Sequence, residues 1–142
     1  MKFYICINCN KENKTRYTTA NKFCNNVCQQ DYQKRKRLED WQTGKLSGNV
    51  GSKVIQTAAW LRKYLINKAN YSCEKCGFNT PHPDDQSSIL EINHKDGDAL
   101  NTCLDNLEVI CPNCHALTST YRRRNKQGKR RLQSIAGDAP DL

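Results

Sequence analysis

Long apolar runs are missing from this chain, and nothing in it approaches the length of a helical membrane span. Histidine is scarce, at three residues (His82, His94, His115), and methionine occurs once. Hydrophobic residues make up 37% of the 142 positions and mean hydropathy is −0.87. So lean a composition excludes a large self-sufficient core. Small units of this kind are held together by a metal, by disulfides or by a partner. Also missing from "MKFYICINCNK" is any apolar stretch of signal-peptide length. That favours a reducing, cytoplasmic location, and therefore metal thiolates over disulfides for the nine cysteines.

Basic charge is abundant. The net charge is +9, and the excess is clustered in "KRKR" (Lys34, Arg35, Lys36, Arg37) and in "YRRRNKQGKRR" at 121 to 131. The second run contributes Arg122, Arg123, Arg124, Lys126, Lys129, Arg130 and Arg131. Either run alone is as well explained by a solvated face or a disordered tail as by a binding surface. Two of them flanking metal-type motifs point to a polyanion, most simply DNA, with no membrane and no small-molecule substrate. Protein partners are not legible.

Composition divides the chain into four stretches. Residues 1–42 carry "CINC", "CNNVC" and a basic helix. Residues 43–52 hold three of the seven glycines and read as a linker. Residues 53–132 form the main domain, and residues 133–142 a flexible tail. In the main domain, "KVIQTAAWLRKYLINKA" predicts a helix over 53–69, with Val54, Ala58, Leu61 and Leu65 in one stripe, Ile55 and Ile66 widening it, and Ser52 as N-cap. "SSILEIN" and "NLEVIC" predict two strands, and "HALTSTYRRRNK" the start of a last helix.

Cys73, Cys76, Cys111 and Cys114 form two CxxC pairs separated by 34 residues. Four thiolates complete a tetrahedral zinc site with no open position, so the ion there is structural. It would supply about 10–16 kcal/mol of apparent binding free energy. The wide separation leaves room for the two strands as an insert. Cys6, Cys9, Cys24 and Cys28 make a second structural zinc set. The x3 spacing of Cys24 and Cys28 equals one helical turn, so the helix entering "KRKR" begins at the metal. "KFCNNVC" resembles FCS-type zinc fingers. Cys103 is left over as a free thiol.

His94 ends the first strand, Asn106 precedes the second, and His115 follows Cys114 directly. With "LEINHKDGD", "DNLEVICPNCHALT" and "WLRKYL…YSCEKCG", this order resembles the HNH endonucleases of the ββα-metal superfamily, in their small phage and bacterial form, over about half the chain. The resemblance implies a small zinc-stabilised α+β fold. A ββα-metal hairpin and helix would sit within a treble-clef-like four-cysteine module, preceded by a helix and an N-terminal finger. It implies a metal-dependent DNA endonuclease acting in the cytoplasm of a bacterial host cell and carried by a phage or the host.

The roles it implies are residue by residue. His94 is the general base, suited to the task by an ordinary imidazole pKa of ~6.5. Asn93 and His115 hold a catalytic Mg or Mn ion, and Asn106 ties the hairpin loop and orients the base. Asn93 is a departure, because the family often has Asp, Glu or His there; a neutral amide is the weaker ligand. Strand alternation is expected to send Asn93 and His94 to opposite faces. Asp96 and Asp98 either assist the ion or shape the turn, the turn being favoured. His82 reads as an exposed loop residue. The alternative function is a noncatalytic zinc-finger DNA-binding protein, which has no need of His94, Asn106 and His115 in this spacing. A zinc module for protein contacts would explain the cysteines but not the charge.

Overall fold

The computed structural model describes residues 2–15 and 21–126. Lys129, Arg130, Arg131 and the tail at 133–142 lie outside them. The chain divides into two units, Met1–Leu46 and Ser47–Leu142. The division falls within the glycine-rich stretch 43–52.

In the first unit, strands β1 (Lys2–Ile5) and β2 (Glu12–Thr15) pair antiparallel, Lys2 opposite Thr15 and Ile5 opposite Glu12. The Cys6–Cys9 pair sits in the turn between them. There the Cys6 amide donates to the Lys11 carbonyl and the Asn10 amide to the Cys6 carbonyl. Helix α1 (Asn26–Gln42) begins at an Asn25 cap whose side chain accepts from the Cys28 amide. Cys28 therefore lies in the first turn of α1, as its spacing predicts, while Cys24 precedes the cap instead of sharing a helical face with it. Phe23 stacks at a tilt on Tyr32, and the Tyr4 hydroxyl donates to the Phe23 carbonyl.

The second unit opens with a short hairpin, β3 (Asn49–Val50) against β4 (Gln56–Thr57). This hairpin displaces the expected helix start. Helix α2 runs only over Ala59–Lys68, and its cap position, Ala58, makes no side-chain capping bond. Ser52 lies in the turn between β3 and β4. The backbone there is already committed, because Ala58 donates its amide to the Gly48 carbonyl and the residues before it pair with β3. The apolar stripe was correctly placed except at one end: Ile55, Ala58, Leu61, Leu65 and Ile66 are buried, whereas Val54 is exposed.

Strands β5 (Glu91–His94) and β6 (Leu107–Ile110) form the antiparallel insert between the two CxxC pairs. Leu90, Leu107, Val109 and Ile110 join the α2 residues in the core. Helix α3 (Pro112–Ala116) follows β6 at once. The expected start at His115 is corrected by one turn. Cys111 is the N-cap, its sulfur accepting from the Cys114 amide, and Pro112 occupies the first turn, where a missing N–H costs nothing. His115 thus lies in the last turn of α3. The Thr118 hydroxyl bonds the His115 carbonyl and helps end the helix. Single turns of 3-10 helix span Leu104–Asn106 and Arg122–Arg124.

Candidate active site and metal centres

Each predicted cysteine set is brought together. The sulfurs of Cys6, Cys9, Cys24 and Cys28 lie within 4.8 Å of one another, as do those of Cys73, Cys76, Cys111 and Cys114. Separations of 3.8 Å for Cys9–Cys24 and 3.7 Å for Cys76–Cys111 match the edge of a tetrahedron. Metal–sulfur bonds of about 2.3 Å give an edge of about 3.8 Å. All nine cysteines are free of disulfides. The electrostatics of the two sets are alike. Burial would raise the Cys6 thiol, but the amides of Cys9, Asn8 and Cys24 outweigh it and lower the pKa to about 6. Cys73 is likewise lowered to about 6, by the amides of Cys111, Cys76 and Lys75 against burial. Hydrogen bonding from Cys28 pushes Cys24 up to about 12, and Cys76 and Cys111 do the same to Cys114. One thiol of each set ionises readily while a neighbour resists. A dication would let all four ionise together.

The second set positions the hairpin. Glu74, inside the first CxxC, exchanges backbone and side-chain bonds with Val109 of β6. Gly77 closes that knuckle at φ +78, a left-handed conformation that costs a glycine little, its amide donating to the Cys73 carbonyl. β6 then feeds directly into Cys111 and α3, and α3 contacts β5.

Asn93, His94 and His115 line one small pocket of about 70 Å³, together with Ile92, Gly97, Ala99, Thr120 and Asn125. Asn93 and His94 are both buried, at 4% and 7% exposure. They were expected on opposite faces. Both nevertheless line the pocket, at the point where β5 ends at His94. Glu108 stands opposite Asn93 in the register and accepts from its Nδ2 at 2.7 Å, which leaves the amide oxygen as the atom for a cation. Glu91, two positions before Asn93, bonds His115 Nδ1 and leaves Nε2 as the donor atom toward a ligand. One amide oxygen and one imidazole nitrogen, each on a side chain held by a carboxylate, are the atoms these two residues could offer a divalent cation.

Asn106 is half-buried and spends its side chain on the loop after His94. Its Nδ2 donates to Asp96 Oδ1 and the Asn101 carbonyl, and its Oδ1 accepts from the Asp96 amide. Asp96 also accepts from Asn101 Nδ2 and the Asp98 amide, and Asp98 accepts from the Leu100 amide. Both carboxylates therefore shape the turn. Burial works against ionisation of Asp96, but those donors and nearby His94 hold its pKa below 3.8.

Elsewhere, His82 is exposed and its Nδ1 accepts from the Asp84 amide, a local turn. Cys103 is exposed. Lys34, Arg35, Lys36 and Arg37 are exposed along α1, with Arg35 bonded to Asn8 and Lys36 paired with Asp40 at 2.8 Å. Arg122, Arg123, Arg124 and Lys126 are exposed close in sequence to pocket residue Asn125. Sequence reasoning missed Glu91, Glu108, Thr120 and Asn125. Glu91 was findable, since positions two apart on a strand share a face. The other three needed the register and the chain path.

Over 67 residues the chain is 46% identical to the H-N-H endonuclease F-TflIV of Escherichia phage T5. The match takes in 46% of this chain and 29% of that protein, so the chain spans less than a third of its relative's length. No family model matches, and no solved structure matches. The resemblance to HNH endonucleases is supported by this relative, and the two four-cysteine groups fit the zinc modules expected with it.

Proposed function

We propose that the protein is a metal-dependent HNH endonuclease that hydrolyses phosphodiester bonds in DNA. The observation that carries this reading is the single pocket shared by Asn93, His94 and His115, beside a hairpin and helix clamped by Cys73, Cys76, Cys111 and Cys114. Both four-cysteine groups hold structural zinc, the ion suited to closed tetrahedral thiolate sites. The β5–β6 hairpin and α3 form the ββα-metal unit, in a treble-clef-like setting. Residues 1–42 act as a finger with a basic helix.

His94 takes a proton from the attacking water as the new P–O bond forms. The bond from phosphorus to the departing sugar oxygen breaks, and that oxygen takes its proton from solvent water. Asn93, through Oδ1, and His115, through Nε2, would hold Mg or Mn. The ion, when bound, supplies positive charge to the phosphate and the departing oxygen. Asn106 keeps the loop behind His94 in place. Arg122, Arg123, Arg124 and Lys126 bind phosphates flanking the scissile bond, and Lys34 to Arg37 bind further along the duplex, giving salt-dependent affinity. Lys129, Arg130 and Arg131 continue that run. A noncatalytic DNA-binding module would account for the charge and the zinc, but not for two histidines and an oriented amide around one cavity. The T5 relative suits action in a bacterial host's cytoplasm.

The test is plasmid cleavage with Mg or Mn by the wild type, His94→Ala and His115→Ala. Removing the base should slow nicking by about 10²–10⁴-fold. Equal nicking by all three would overturn the catalytic reading.

A further inference from the structure

Between Ser47 and Thr120 the chain carries six Lys or Arg against eight Asp or Glu. The body that builds the pocket is thus slightly acidic, an unfavourable surface for a polyanion. The next six residues, "YRRRNK", carry four cations and no acid. How this short segment is held therefore bears directly on how the pocket meets a phosphate chain.

Two contacts hold it to the pocket. Asn125 donates from Nδ2 to the Gly97 carbonyl at 2.8 Å, and the Gly97 amide donates to the His94 carbonyl at 2.9 Å. Gly97 has φ +77, and a methyl built on it would lie 2.4 Å from Asn125 Oδ1 and 3.0 Å from Thr120 Cγ2. Glycine is required there both by the backbone and by the amide seated over it. On the other side, the Tyr121 ring packs edge-on against the His115 imidazole at 5.0 Å, and the Arg122 guanidinium lies over the Tyr121 ring at 5.0 Å. Arg122 itself adopts φ +47, a conformation a non-glycine residue holds only when its surroundings impose it.

We infer that residues 120–125 form a strap that positions the arginine turn at the mouth of the pocket, with Asn125 as its latch on Gly97. The substrate class this selects is a polynucleotide, whose phosphates on either side of the reacting one are reached by the fixed arginines. This inference rests on the nuclease reading of the same pocket. Asn125 is a positioning residue acting through Arg122, Arg123 and Arg124.

The experiment is a mutant cycle on the zinc-loaded full chain, read by fluorescence anisotropy with a labelled DNA duplex and no Mg or Mn. Asn125→Ala should weaken binding about tenfold near 0.15 M salt and flatten the salt dependence by about one to two in slope. In a background with Arg122, Arg123 and Arg124 all changed to Ala, the same substitution should change affinity by less than about twofold. Gly97→Ala, whose methyl displaces the amide, should reproduce the loss. Asn125→Asp, which keeps the shape and removes the donor, replaces Asn125→Ala should the latter lose bound zinc. Fully additive effects, or unchanged affinity in the single variant, would overturn the strap. Plasmid cleavage by the wild type reports separately on the nuclease reading. A protein that cleaves nothing but shows the non-additive cycle keeps the strap as a DNA-binding device.

Discussion

The two cysteine sets use the same ligand chemistry and have different neighbours. In the first, 14 residues separate Cys9 from Cys24, and the last ligand opens a 17-residue helix in which Trp41 alone is buried. In the second, 34 residues separate Cys76 from Cys111; that interval contains the β5–β6 hairpin, and His115 follows the last ligand. A closed four-thiolate site does no chemistry. What distinguishes the sets is the segment each one clamps, a basic helix in one case and a pocket with two histidines in the other.

The largest expected contrast comes from removing a ligand from each set. Cys73→Ser should cost the second unit its metal, its hairpin dispersion in NMR spectra and all DNA cleavage. Structural zinc contributes about 10–16 kcal/mol, more than a small unit can spare. Cys24→Ser should release metal from the first set only, leaving the β5–β6 resonances in place and weakening DNA binding. Collapse of both units by either change would erase the distinction between them.

A smaller effect sharpens the account of the pocket. Asn93→Asp adds the charge a hard cation prefers, so calorimetry should find tighter Mg or Mn binding. The same change removes the Nδ2 donor and sets a second carboxylate against Glu108. The metal-free protein should therefore lose about 1–3 kcal/mol of stability. Weaker or unchanged ion binding would remove residue 93 from the metal site.

The smallest effect concerns the loop. Asp96→Asn exchanges an acceptor for a donor among three donors and should cost about 1–2 kcal/mol by thermal unfolding. Because the folded pKa lies below 3.8, the carboxylate's contribution is complete above that value and is lost only as pH falls through the folded pKa. The difference between the two proteins should then be at least as large at pH 6 as at pH 8, since a charge on nearby His94 favours the carboxylate. A difference that shrinks across that window would mean another group titrates with it.

Both metal sets were legible from spacing alone, because thiolates two or three residues apart reach one ion whatever surrounds them. The same holds for the hairpin, whose strands are short, β-branched and bounded by turns, and for the order of His94, Asn106 and His115. Where α2 begins was not legible. Apolar periodicity at 53–58 looks helical, yet those residues pair with a strand or turn toward Gly48, and tertiary pairing outweighs propensity. The start of α3 was missed for a simpler reason: a thiolate can cap a helix that also opens with proline.

Taken by itself, the sequence determined which residues could bind metal and which carried charge, since ligand chemistry and net charge are properties of residue type and local spacing. Only the tertiary structure decided that Asn93 and His94 share a pocket, that Glu91 bonds His115 and Glu108 bonds Asn93, and that Asn125 reaches back to Gly97. Those contacts join positions 15 to 28 residues apart. Register and chain path set them, and no local pattern encodes either.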